Sequence, residues 1–298
     1  MLNLEAVGSE SAPVMRSWDE RDAMLYALGV GAGSLDAHEF ELEYTTENSD
    51  GRTLRVLPTF ATIIGRNAFK LSGLGEIDFT KVVHGDQSIT VYGPISSEGT
   101  LEVRSTVDGI YDKGSGALIA LSSTGIDPAT GAVALTTRMG IFVRGAGGFD
   151  GPRGPEPDAE DSLAAMPRVS SRPDHVVSYP TRPDQALLYR LSGDRNPLHS
   201  DPVFARRASF DRPILHGLCT YGFTGRALLH GVCGSQAARF GSMRARFARP
   251  TYPGDTLTVS IWNVSDELAG AFRFQTENQR SEVVIDAGVF RLADAPNG

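Results

Sequence analysis

Asp194, Asn196 and His199 place a carboxylate, an amide and an imidazole within one short stretch, Tyr189-Arg190-Leu191-Ser192-Gly193-Asp194-Arg195-Asn196-Pro197-Leu198-His199. A carboxylate accepts hydrogen bonds, an amide both donates and accepts, and an imidazole exchanges a proton near neutral pH. Gly193 and Pro197 constrain the backbone between them, so the three groups can converge on one water molecule. The same residue types also suit a plain turn. There Asp194 and Asn196 would bond their own backbone and His199 would cap the following helix.

A second feature follows at Asp211-Arg212-Pro213-Ile214-Leu215-His216-Gly217-Leu218-Cys219-Thr220. Gly217 falls where a long apolar helix, His216–Gly231, is expected to begin. The first amides of a helix lack intrahelical partners and carry the positive end of its dipole. A glycine lets a ligand approach such an amide closely, which suits an oxygen gaining negative charge. Tight helix packing would also explain a glycine at this point.

These loops need elements to hold them. Glu20–Leu28 reads as a helix ended by Gly29-Val30-Gly31-Ala32-Gly33, and Leu57–Gly65 as a second apolar helix with proline near its start. Strand patterns follow at Ser88–Tyr92, Leu101–Tyr111, Ala117–Thr124 and Val133–Val143, separated by turn residues. After a Gly/Pro-rich stretch, the series repeats. Asp201–Ser209 is a short helix and His216–Gly231 a long one. Strands are expected at Ser242–Ala248, Thr256–Val264, Ala271–Glu277 and Glu282–Leu292. Both halves stop a strand at proline, turn at glycine and return through Thr-Leu, at Pro94/Gly99-Thr100-Leu101 and Pro250/Gly254-Asp255-Thr256-Leu257. That shared punctuation is what an internal duplication leaves behind. A helix followed by a meander, twice, is an α+β architecture. The expected division is 1–145, a linker over 146–180 with little regular structure, and 181–298.

Composition narrows the functional classes. The chain has 298 residues and a net charge of −8, with 41% apolar and 21% charged residues. That is ordinary globular usage, with core enough to fold. An acidic surface is a poor match for nucleic acid. Cys219 and Cys233 have no zinc-ligand spacing and are too few for a disulfide scaffold, so two buried thiols and no metal site are expected. No apolar run is long enough to span a membrane. Met1–Pro13 does not read as a signal peptide, and Ala295–Gly298 carries no peroxisomal address, so cytoplasm is the expected compartment.

Taken together, Tyr-Arg-Leu-Ser-Gly-Asp-x-Asn-Pro-Leu-His, Asp-Pro-x-Phe-Ala and Pro-Ile-Leu-His-Gly-Leu resemble the signature of hydratase 2, the MaoC-like (R)-specific enoyl-CoA hydratases. Arg246–Leu257 is similar to the family's later strand-turn motif. Tyr26–Ala32, Leu57-Pro58-Thr59-Phe60 and His84-Gly85-Asp86-Gln87 resemble the first half of its two-domain members. The resemblance implies a double hotdog fold that adds water to trans-2-enoyl-CoA, giving (3R)-3-hydroxyacyl-CoA, and that also runs the reverse dehydration, with no cofactor. By motif position Asp194 and His199 would be the catalytic pair, with Asn196 positioning them; which of the pair is acid and which base stays open. The Gly217 amide would bind the thioester oxygen. His84, Gly85, Lys113 and Phe247 would line the CoA thioester site, and Glu47 would be the family's glutamate from the first half. That half lacks an Asp-x-Asn-Pro-x-His string, so it would shape the acyl tunnel. Arg206, Arg207, Arg212, Arg244, Arg246 and Arg249 are candidate phosphate contacts. A homodimer is expected by analogy. Thioester hydrolysis and a silent thioester-binding subunit are the competing readings.

Overall fold

The computed structural model describes residues 2–34, 40–166 and 172–294. The Ala295–Gly298 tail therefore lies outside the described residues. Among the described residues ten strands form one antiparallel sheet: β1 (Val14–Trp18), β2 (Val82–Val91), β3 (Gly99–Asp112), β4 (Gly116–Ile126), β5 (Val133–Arg144), β6 (His175–Pro180), β7 (Phe240–Phe247), β8 (Thr256–Asn263), β9 (Ala271–Asn278) and β10 (Val283–Leu292). Their order is β1-β3-β4-β5-β2-β7-β10-β9-β8-β6. Read outward from the middle, each half runs through its strands in the same order, so the duplication hinted at by the punctuation is a property of the topology. The halves join where β2 pairs with β7, from Asp86 opposite Arg246 to Thr90 opposite Ser242. This is the double hotdog arrangement.

Among the described residues seven α-helices accompany the sheet: α1 (Glu20–Gly29), α2 (Leu42–Thr45), α3 (Ala61–Ile64), α4 (Ala159–Ala165), α5 (Gln185–Tyr189), α6 (Pro202–Arg207) and α7 (Gly217–Gly231). An Asp19/Asp22 capping box starts α1. Helix α7, 15 residues long and buried from Cys219 to Leu229, is the axis of the core. Its glycines permit close packing. A Cβ at Gly222 would lie 2.4 Å from Val30, and one at Gly225 2.3 Å from Thr59. In the first half the equivalent position holds only a 3-10 turn, Pro58–Phe60, running into α3. The apolar helix expected over Leu57–Gly65 is thus present but cut short.

Two edge strands were not expected from the pattern. Strand β1 is only five residues long, and β6 ends at Pro180; both lie at open edges, where proline and brevity are tolerated. Strand β6 pairs along β8 from His175 to Pro180, so the second half of the sheet begins inside the stretch read as linker. The same stretch holds α4, which an Asp158/Asp161 capping box starts. Leu163 of α4 is buried against Val264, Ala271 and Val289, and Arg244 of β7 pairs with Asp158 and Asp161. Capping and one apolar anchor outweigh the local glycines and prolines there. Both cysteines are buried and free. Among the described residues no helix is long and apolar enough to cross a membrane.

Candidate active site

The loop carrying Asp194, Asn196 and His199 hangs between α5 and α6. A short 3-10 helix, Arg190–Ser192, ends at Gly193, whose φ of 120° is a left-handed conformation that glycine adopts without strain. Asp194 follows, exposed, and its Oδ1 accepts the Asn196 amide at 3.1 Å. Asn196 caps the next 3-10 turn, Pro197–His199, by accepting the Leu198 amide through Oδ1 at 3.0 Å. Its NH₂ group is left to donate elsewhere. So Asp194 and Asn196 do bond their own backbone, as a plain turn would. That turn also delivers His199 into the interior, where it is 8% exposed.

A hydrogen bond to the main chain helps orient the His199 ring. Nδ1–H donates to the Ile214 carbonyl at 2.9 Å, which leaves Nε2 with a free lone pair. Burial lowers the His199 pKa, while the Ile214 bond and the Asp194 charge act the other way. The His216 ring stacks on it, with centroids 3.7 Å apart and planes at 26°. Ligand atoms of Asp194, His199 and His216 lie within 4.8 Å of one another. Two nearly parallel rings direct their in-plane lone pairs side by side and not at one point. This is a poor fit to a tetrahedral zinc site.

Across from the loop, the β2/β5 register shifts between His84 and Asp86, so Gly85 forms a bulge. Bulges re-aim side chains next to sites. His84 here sets the edge of its ring against Phe247, with centroids 4.9 Å apart. Its Nε2 is shielded from solvent and has no hydrogen-bond partner. Burial pushes the His84 pKa down to about 4, against a smaller upward pull from the Asp194 charge. Phe247, at the end of β7, lies on Gly217: a Cβ there would be 3.3 Å from its ring. The structure thus brings Asp194, His199, His84, Gly85, Phe247 and the start of α7 into one neighbourhood, supplied by both halves.

Lys113 and Glu47 are placed otherwise. Lys113 sits in the turn between β3 and β4, and its ammonium donates to the Arg153 carbonyl. Glu47 is exposed just past α2 and makes no hydrogen bond or ion pair among the described residues. The glutamate that the first half buries is Glu41, 2% exposed. Arg226 of α7 reaches it through Nε at 2.6 Å and Nη2 at 2.5 Å, His230 Nε2 at 3.0 Å, and the Gly33 amide at 3.0 Å. An arginine inside an apolar helix was the available signal, because a buried cation demands a carboxylate. Of the candidate phosphate contacts, Arg244, Arg246 and Arg249 are paired with Asp161, Asp286 and Glu282. Arg206, Arg207 and Arg212 form no ion pair among the described residues, and Arg212 lies 4.8 Å over the Tyr252 ring.

The imidazoles make the fold acid-sensitive. Burial lowers His84 to about 4 and His216 to about 3, and lowers His199 as well. In the unfolded chain these rings take up protons near the ordinary histidine value, about 6.5. Their contribution to stability is therefore complete above that value and is lost as pH falls from it toward the folded values. The urea midpoint should be lower at pH 5 than at pH 7.5; an unchanged midpoint would contradict the burial of these rings.

Comparison with known proteins agrees with this geometry. The MaoC like domain model matches residues 165–285, and the MFE-2 hydratase 2 N-terminal domain model matches residues 17–145. Over 294 residues the chain is 42% identical to 3-hydroxyacyl-thioester dehydratase Y of Mycobacterium tuberculosis, covering 96% of this chain and 97% of that one. It is 37% identical over 260 residues to the peroxisomal enoyl-CoA hydratase 2 of Arabidopsis thaliana, covering 83% of this chain and 82% of that one. A crystal structure of a MaoC-like dehydratase from Phytophthora capsici superposes with a TM-score of 0.84 at 29% identity, over 98% of each chain. With both domain models matched in sequence order and a near full-length relative at this identity, the chain belongs to the MaoC-like hydratase 2 family, in its two-domain form.

Proposed function

We propose that the protein hydrates trans-2-enoyl-CoA to (3R)-3-hydroxyacyl-CoA and catalyses the reverse dehydration. The observation that carries this reading is the free Nε2 of His199 beside the Asp194 carboxylate, close to the glycine-led start of α7. Hydration forms a C3–O bond from water, removes one proton from that water, and delivers a proton to C2. Charge builds on the thioester oxygen in between. Asp194 and His199 would hold the water and exchange its proton, with the NH₂ of Asn196 orienting it. The Gly217 amide would face the oxygen, a contribution of about 3 kcal/mol by the usual worth of such a donor. Positioned acid–base groups add about 10²–10⁴-fold. The thioester itself conjugates the alkene, so the reaction needs no cofactor.

His84 and Phe247 would wall the thioester, and Lys113 with Arg206, Arg207 and Arg212 would meet the CoA phosphates. Homodimerisation and a cytoplasmic location complete the reading, to be read by size exclusion and cell fractionation. Incubating the purified chain with trans-2-enoyl-CoA esters of graded length tests the activity. Enoyl-thioester absorbance should fall without release of free thiol, and chiral analysis should return the (3R) product. Release of CoA thiol at the same rate would make the protein a thioesterase instead.

A further inference from the structure

His216 takes no part in the chemistry above, yet it touches both members of the pair. Its ring is 1% exposed and lies between His199, at 3.7 Å, and Tyr189, at 4.9 Å. Nε2–H donates to the main-chain carbonyl of Asp194 at 3.1 Å. Nδ1 is then the unprotonated nitrogen, and it is buried with no partner. Two residues earlier, the Ile214 carbonyl takes the Nδ1–H of His199. One short segment leading into α7 therefore grips the main chain of the acid and the ring of the imidazole together.

Resting on the hydratase reading, we propose that His216 is a positioning residue for the reaction, fixing the Asp194 backbone and the plane of the His199 ring at once. A phenylalanine would fill the same slot and would remove the unpaired Nδ1 acceptor. What phenylalanine lacks is the donor to Asp194. That donor matters because Gly193, just before, holds a φ of 120°, a turn that bonds to the adjoining carbonyls keep in place. A second donor, Nη1–H of Arg66 from the first half, holds the Gly193 carbonyl at 3.2 Å. Consecutive carbonyls are thus held from opposite halves. Burial, and then the neighbouring His199, lower the His216 pKa, which favours the neutral ring whose Nε2–H meets the Asp194 carbonyl.

The test compares wild type, His216→Phe and His216→Gln. His216→Phe should lower kcat about tenfold or more with KM within about threefold, the pattern of an interaction felt in the transition state. The folding midpoint should not fall in parallel. His216→Gln, which retains a donor, should recover at least about threefold of the lost kcat. A His216→Phe kcat within about twofold of wild type, a loss carried by KM, or equal losses in both variants would overturn the proposal. Imidazole nitrogen NMR on the unmutated protein reads the same geometry without a variant. His216 should be the neutral Nε2–H tautomer and His199 the Nδ1–H tautomer at pH 7; the opposite tautomer at His216 would overturn it. Absence of hydration by wild type would instead defeat the hydratase reading and leave the tautomer result standing.

Discussion

Asp194→Asn and His199→Gln should each lower kcat for enoyl-CoA hydration by about 10²–10⁴-fold. Asp194 is exposed, and an asparagine oxygen can still accept the Asn196 amide, so the loop should keep its shape. The loss would then report the missing carboxylate charge and not a collapsed turn. At His199 a glutamine can still donate to the Ile214 carbonyl, but it offers no titratable nitrogen where Nε2 stood. Both variants should unfold near the wild-type midpoint. Stopped or continuous assays on crotonyl- and decenoyl-CoA read the effect. Either folded variant retaining near-normal turnover would remove that residue from the catalytic pair.

Glu41→Ala should cost about 3–5 kcal/mol of stability, because it leaves the fully buried Arg226 guanidinium uncompensated. The carboxylate is opposed by its own burial. Hydrogen bonds from His230 and Arg226, the Arg226 charge and the Gly33 amide outweigh that burial and bring its pKa down to about 2. The sign of the pH dependence follows. The unfolded carboxylate titrates near 4.5 and the folded one near 2, so the contribution is complete above 4.5 and is lost as pH falls through 2. The gap in urea midpoint between wild type and Glu41→Ala should therefore be flat from pH 7 to 5 and narrow on further acidification. A variant as stable as wild type at pH 7 would mean that Arg226 finds another partner. The effect would extend beyond stability, because Arg226 lies on the helix whose first residue is Gly217.

Strand periodicity places eight of the ten described strands, seven of them to within two residues at each end, because half-buried strands alternate and β4 does so from Ala117 onward. The start of β2 was missed by six residues. His84 and Gly85 lie there at a bulge, where alternation fails. The edge strands and α4 escape for a related reason: they are short and stabilised by pairing or capping that pattern does not record. The candidate loop was legible because Asp194, Asn196 and His199 are neighbours in sequence. Glu41, Arg66 and Arg226 were not, since each acts on a residue more than a hundred positions away. His216 stood in plain view within its motif, but a histidine next to a helix-starting glycine looks like part of the helix until its ring partners are seen.

The like order of strands in the two halves has an evolutionary consequence. Were such a sheet assembled from two identical chains, every substitution would appear twice, and neither copy could lose its central helix without the other. Covalent fusion lifts that symmetry. One copy retains the full-length axis and the Asp194–His199 loop, and its sibling is released to shorten its own axis to little more than a turn. Substrate range and chemical competence can then drift apart, each recorded in a different stretch of the same gene.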